Sequence, residues 1–351
     1  MLNTMRRPYM ATLPRPARAT LNLCHGLWLF AFVLLSFPSV AYAQDEDDKG
    51  TLSLIYENDV FYNTDQHYTN GVRISWLSGL NDVPEFLREA AAKSLLFPEE
   101  GNARVEFALG QNMYTPSDIT LTTPPEDDRP YAGWLYGSVG LIAENGKRLH
   151  QLELQVGMVG PASLAGKTQK FVHEYITYSD EPQGWDTQLP NEPTLQLTYL
   201  RSWRALAAIG DQGFGADLTP QFGLALGTVY DHVETGAMLR LGQNLMLDYG
   251  PPRIQPSPPG SGYFLSSPYF GFYLFGGAMG RAVSRNMFLD GSLFRDSRSV
   301  DKKYFVADFI TGAAVTWRDY RLAYTHIFRT PEFDGETGLH EYGSLTLSVK
   351  F

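Results

Sequence analysis

The sequence predicts an all-β protein, an antiparallel transmembrane β-barrel of about 12 strands with a short helix in an extracellular loop. Three observations carry that prediction. An export leader is followed by no apolar run long enough for a transmembrane helix, many segments alternate between apolar and polar residues, and the chain stops on an aromatic residue inside the last such segment.

The leader comes first in the chain. Arg6, Arg7, Arg15 and Arg18 precede the apolar run LWLFAFVLLSF, and small residues follow at Ala41 and Ala43. That is the pattern of a secretory signal peptide over residues 1–43, with the barrel domain expected at 44–351. The run is short for a bilayer span and the acidic QDEDDKG follows it, so cleavage after Ala43 is expected rather than anchoring. Cys24, the single cysteine, would leave with the leader, and the mature chain would then carry no thiol and no disulfide. Formal net charge is −10, and loss of the leader's four arginines with no acidic residue leaves −14. An acidic surface of this kind argues against nucleic acid as a partner and suits divalent cations; no protein partner is expected.

The strands follow in order. In the first, at 51–58, Leu52, Leu54 and Tyr56 take the outward side, which aims Ser53, Glu57 and Asp59 inward. Further alternating segments lie near 69–78, 103–112 and 131–143. At 149–159, LHQLELQVGMV sets His150, Leu152, Leu154, Val156 and Met158 against Gln151, Glu153, Gln155 and Gly157. The pattern recurs near 194–203, 218–228, 235–246, 269–285, 304–316 and 320–328. In the closing GSLTLSVKF, Leu345, Leu347, Val349 and Phe351 share a face opposite Ser344, Thr346, Ser348 and Lys350. A strand that ends this way leaves no tail to bury, and an even count places both termini in the periplasm. A soluble periplasmic β-sandwich would alternate too, but the terminal Phe351 and the aromatic clusters near strand ends favour the barrel.

Up-and-down threading sorts the connections. Extracellular loops are expected after the first strand, over 113–130 and over 159–193. The segment 80–102 falls on the periplasmic side, long for such a turn and partly helical in pattern. The Pro-rich IQPSPPGSG at 254–262 reads as an irregular turn.

Two of the extracellular pieces hold the chemistry. The first hairpin, YENDVFYNTDQHYTNG, offers Asn58 and Asp59, hard oxygen donors near a strand end that suit calcium, although Asx residues also simply begin turns. The third loop contains an amphipathic helix, SLAGKTQKFVHEYI at 163–176, whose Leu164, Thr168, Phe171, Val172, Tyr175 and Ile176 form a face that must pack on something. His173 lies beside that face, with Gln169 one turn earlier. His150 and His326 are expected as girdle or packing residues, and His67, His232 and His340 as solvated loop residues.

The fragments YENDVF, TDQHYTNG, QNMYTPSD, DDRPYAGW, VGMVGPASLAGKTQKFVHEYI and PQGWDTQLPNEP, in this order over residues 51 to about 203, resemble the lipid A 3′-O-deacylase family of outer-membrane barrels. The resemblance implies a twelve-stranded barrel whose active site lies between the wall and a helix of an extracellular loop. It implies removal of the 3′ acyloxyacyl group of lipid A in the outer leaflet, with calcium as cofactor. Carried over by residue, the site comprises Asn58 and Asp59, Thr69, Gln169 and His173. His173 would act as general base on water, and Asp59 would be a calcium ligand. Arg129 is the clearest candidate for receiving a lipid A phosphate. The alternatives are an outer-membrane phospholipase and a non-enzymatic channel or binding barrel.

Overall fold

Alternation in β1 (Thr51–Asn58) is seen directly in its burial: Leu52, Leu54 and Tyr56 are half-buried, whereas Ser53, Ile55 and Glu57 are buried. The computed structural model describes residues 49–59, 67–93, 102–177, 180–210, 213–251, 253–254 and 262–351. The expected leader and its cleavage position lie outside these residues.

The remaining strands are β2 (His67–Leu77), β3 (Asn102–Thr115), β4 (Ala132–Glu144), β5 (Arg148–Val159), β6 (Glu192–Trp203), β7 (Ala207–Gly210), β8 (Phe214–Gly227), β9 (Tyr230–Gln243), β10 (Ser267–Asn286), β11 (Phe305–Arg318), β12 (Tyr320–Arg329) and β13 (His340–Lys350). Sequential neighbours pair antiparallel, and the ring closes where β1 meets β13, from Thr51 opposite Lys350 to Asn58 opposite Gly343. β7 is a four-residue exposed strand that hairpins onto the lower end of β8, while β6 bypasses it to pair with β8 directly. The wall therefore has twelve strands, as the alternation predicts, and β7 is too short to show a period.

Outward positions form the apolar band that a membrane barrel needs: Phe107, Leu109, Val139, Leu154, Val156 and Leu274 are exposed. Inward positions are polar but not open to water. Arg73 sits between Glu106 and Glu153, at 3.4 and 2.9 Å. Arg240 bridges Asp217 and Asp248, each at 2.6 Å. Asp308 gathers Arg281 at 2.9 Å, Arg329 at 2.8 Å and Arg253 at 3.4 Å. Charges this deep persist because each meets an opposite charge or a hydrogen-bond partner.

The β9–β10 connection supplies part of that pairing by turning into the lumen. Arg321 donates to the Gly250 carbonyl at 2.8 Å, and the Ile254 N–H donates to the Glu57 carboxylate at 2.8 Å. The segment expected as an irregular turn thus begins inside the lumen at Ile254, with 255–261 outside the described residues. Buried arginines and carboxylates on the wall hold it there through these bonds. An interior cavity of about 40 Å³, lined in part by Gln151, Ser202, Gln221 and Arg253, has room for water-sized occupants only. On the periplasmic side, a 3₁₀ turn at Leu80–Asp82 and a helix at Glu85–Lys93 match the helical pattern expected there.

Candidate active site

The third extracellular loop begins with a sharp change of direction. Gly160 takes φ 96°, a 3₁₀ turn spans Pro161–Ser163, Leu164 adopts the left-handed conformation at φ 62°, and an α-helix runs over Ala165–Val172 before a π turn at His173–Thr177. The helix lies against the outer side of the wall. Gln111 of β3 donates from its side-chain amide to the Ser163 carbonyl at 2.6 Å. On β4, Trp134 and Tyr136 are inward core residues, so Gly133 faces outward, and a Cβ there would stand 2.2 Å from Ala165 Cβ and 2.3 Å from Ser163 Oγ. Only glycine admits the helix at this distance. Met113, Tyr131, Ala165 and Trp185 form the apolar cluster beneath it.

The packed face differs from the one expected. Ala165, Gln169 and His173 are buried, while Leu164, Phe171 and Tyr175 are 48, 56 and 59% exposed. Close approach to a glycine-bearing wall selects small and polar residues for the inner stripe, so the apolar stripe is turned outward.

On that inner stripe, Gln169 Oε1 accepts the Trp185 indole N–H at 2.7 Å. His173 Nδ1 lies 2.6 Å from the Asp180 carbonyl oxygen. A carbonyl can only accept, so the neutral ring carries its proton on Nδ1 and keeps Nε2 as its proton-accepting atom. The π turn that starts at His173 is a local irregularity of the kind that often accompanies functional positions in helices.

The first hairpin contributes oxygen atoms at the neighbouring rim. Asn58 is opposite Asn70 on β2 and Gly343 on β13; both asparagines take the outward side by alternation, yet both are buried. Asp59 is fully buried, and its N–H donates to the Thr69 carbonyl at 3.4 Å. Thr69 sits at an irregularity in the β2–β3 register, and its hydroxyl is 2.6 Å from that of Thr115 at the end of β3. Asn58, Asp59 and Thr69 are therefore one group at the top of β1–β3, and Gln169 and His173 a second group on the helix seated over β3 and β4. Trp185 and Thr115, which fix members of these groups, were missed by sequence reasoning. Trp185 lies within PQGWDTQLPNEP, but a tryptophan in a loop does not announce which side chain it will hold.

Arg129 is placed elsewhere. It is fully buried, with its guanidinium 5.0 Å from the centre of the inward Tyr114 ring and 3.6 Å from Glu332. The connection after β12 brings Glu332 into the barrel mouth, where its carboxylate lies beside Arg129, the residue expected to receive a lipid A phosphate. The histidines expected as solvated are buried too. His67 opens β2, 5.4 Å from the His340 ring and 5.6 Å from Phe333, and 3.8 Å from Glu336. His232 lies within β9, 3.7 Å from Glu234. Burial, with Glu332 as a second negative neighbour, pushes the Glu336 carboxyl up to about 7. His150 and His326, expected as girdle or packing residues, pack on aromatic side chains, Tyr199 at 3.0 Å and Phe328 stacked at 4.0 Å.

Among the described residues no group of three or more His, Cys, Asp or Glu side chains is placed to hold a metal ion. The hairpin rim offers instead one carboxylate, from Asp59, with the Asn58 amide and the Thr69 hydroxyl. An all-oxygen set fits calcium in kind, and a single carboxylate fits a weakly held ion whose shell is completed by water or substrate oxygens.

A closed twelve-stranded barrel, its lumen filled and a polar group buried under a helix on its outer side, defines an outer-membrane β-barrel protein whose candidate site faces lipid rather than a channel. The family model of outer membrane protein LpxR matches residues 27–351, and the chain belongs to that family. Its fold is similar to LpxR from Salmonella typhimurium, with a TM-score of 0.70 at 18% identity over 86% of this chain and 100% of that one. The β domain of the Bordetella autotransporter BrkA aligns at a TM-score of 0.44 and 10% identity, over 87% and 100% of the two chains. No curated protein sequence matches. The protein is located in the outer membrane.

Proposed function

We propose that this protein is a calcium-dependent lipid A deacylase that hydrolyses the ester of the 3′ acyloxyacyl group in the outer leaflet. The observation that carries this reading is the seating of the loop helix: it buries Gln169 and His173 against the lipid-facing side of the wall, beside the rim that holds Asn58, Asp59 and Thr69. Lipid A presents its acyl esters at this level of the membrane, and a site on the outer wall is reached by lateral diffusion without extraction into water.

In the proposed reaction His173 Nε2 takes the proton of a water that attacks the ester carbonyl, while Nδ1–H, held by the Asp180 carbonyl, keeps the ring oriented and stabilises the imidazolium that forms. The proton then passes to the departing sugar alkoxide as the tetrahedral adduct collapses, so the water oxygen stays on the acyl carbon and a free acyloxyacyl carboxylic acid and a sugar hydroxyl result. Gln169, fixed by Trp185, lines the same stripe and orients substrate or water. Asp59 would hold calcium with Asn58 and Thr69 nearby, and the ion would supply Lewis-acid stabilisation of the ester oxygen. Burial under the helix keeps bulk water from the general base.

A phospholipase would use the same wall-side access, and the test separates the two. Lipid A and glycerophospholipids are extracted from a host expressing the gene, with calcium or with a chelator, and analysed by mass spectrometry. Loss of the 3′ acyloxyacyl mass from lipid A, dependent on calcium, is the expected result; lysophospholipid with unchanged lipid A would replace this reading by the phospholipase.

A further inference from the structure

We propose that the outward stripe of the loop helix, Leu164, Phe171 and Tyr175, is a lipid-seated face that rests among the acyl chains of the outer leaflet and sets the height of the helix at the membrane surface. The helix has two faces with opposite fates. Ala165, Gln169 and His173, spaced by four residues, meet the wall; Leu164, Phe171 and Tyr175, spaced by seven and four, lie on the far side and are 48, 56 and 59% exposed. Phe171 and Tyr175 are in contact with each other, ring centres 5.2 Å apart, so these two rings form one apolar patch rather than scattered residues.

The occupant follows from continuity. The helix is held against β3 and β4, and farther along those same strands the outward residues Phe107, Leu109 and Val139 are 49, 56 and 43% exposed, as a lipid-facing wall requires. The patch prolongs that apolar surface outward at the membrane–water boundary, where aromatic rings with one polar edge are favoured. Lys167 and Lys170, both exposed, lie on the same helix beside the patch, Lys170 in an ion pair with Glu181 at 2.5 Å. Cations bordering an apolar face suit the anionic groups above the acyl chains, as on helices that lie in the interface plane. A face in water would expose two neighbouring aromatic rings with no gain, and a protein partner would not need the apolar surface to run on into the barrel band.

This inference concerns where the helix sits and stands whether or not His173 is a base. Its test uses the absence of cysteine after residue 24. Full-length export-competent protein carrying Cys24→Ala and one of Phe171→Cys, Tyr175→Cys, Leu109→Cys or Asp296→Cys is refolded into phosphatidylethanolamine–phosphatidylglycerol vesicles, checked by heat-modifiable migration, and spin-labelled. Collision with oxygen and with a water-soluble nickel chelate is then compared. Labels at 171 and 175 are expected to match Leu109 on the wall, open to oxygen and shielded from nickel, and to differ several-fold from Asp296, an exposed residue in the connection after β10. Nickel access at 171 and 175 equal to that at 296 overturns the proposal. So does spin–spin broadening that appears only at 171 and 175 and vanishes on dilution with unlabelled protein, since it would give the face to a second copy. Two labelled positions guard against one variant that fails to refold.

Discussion

The lumen and the outer wall of this barrel both bury polar side chains, and they do so for opposite reasons. Inside, Arg73, Arg240 and Asp308 are each surrounded by opposite charges, and the pairs lock wall strands to one another and to the inward-folded β9–β10 connection. Outside, no membrane barrel needs asparagine, threonine or histidine on its lipid-facing side, yet Asn58 and Thr69 are buried at the rim of β1 and β2, and His173 is buried on the loop helix seated over β3 and β4. Polarity in the lumen is explained by packing. Polarity on the lipid side calls for chemistry, and this is why the second region, not the more highly charged first, is the candidate site.

Substitutions can break that contrast. The largest effect is expected from Asp59→Ala, which should abolish deacylation, leave heat-modifiable migration intact, and resist rescue by excess calcium. Undiminished wild-type turnover in a strong chelator would remove the metal from the scheme. His173→Gln should lower turnover by a factor on the order of 10² to 10⁴ while the barrel assembles normally. Near-normal deacylation by that variant would move the base elsewhere.

In the lumen the prediction is reversed. Asp308→Ala leaves Arg281, Arg329 and Arg253 facing one another without their common carboxylate, and should cost about 3–5 kcal/mol of folding stability, read from urea titration in vesicles. Turnover of the fraction that stays folded should change little. If activity fell as far as in His173→Gln, lumen and wall would not be separable.

A finer probe lies on one strand. Gly133→Val drives two methyl groups into Ala165 and Ser163, an overpacking that costs about 1–3 kcal/mol and is most cheaply relieved by lifting the helix off the wall. Deacylation should fall while the barrel persists. Gly137→Val, on the same outward face with only the Ala108 carbonyl at 3.9 Å, should be silent. Equal losses from the two variants would mean that helix seating does not matter.

The smallest effect concerns the mouth. Glu336 titrates near 7 in the folded protein and in the ordinary carboxylate range when unfolded. Between those two values the folded state holds the extra proton, so stability should decline as pH rises from about 4.5 towards 7 and level off above it. Glu336→Gln should flatten that slope. A slope left unchanged would place the titration on another group.

Much of this molecule is legible in its residues. Twelve alternating segments fall on the twelve wall strands, because period two is a local property and a lipid-facing wall enforces it at nearly every position. The loop helix, the side on which each connection lies and the inward aim of Glu57 follow from the same counting. Local pattern does not say which face of a helix meets protein: the apolar stripe Leu164–Phe171–Tyr175 points away from the wall because Gly133 admits only the small residues of the other stripe. Nor does it find partners distant in the chain. Arg129 went to Glu332, His67 to Glu336 and His340, and Ile254 to Glu57. Barrel closure alone brought those groups within reach, and the cost of an unpaired buried charge then decided which of them met. Period and composition therefore determined the barrel, whereas the division between a filled lumen and a polar site beneath the helix was settled only when the sheet closed on itself.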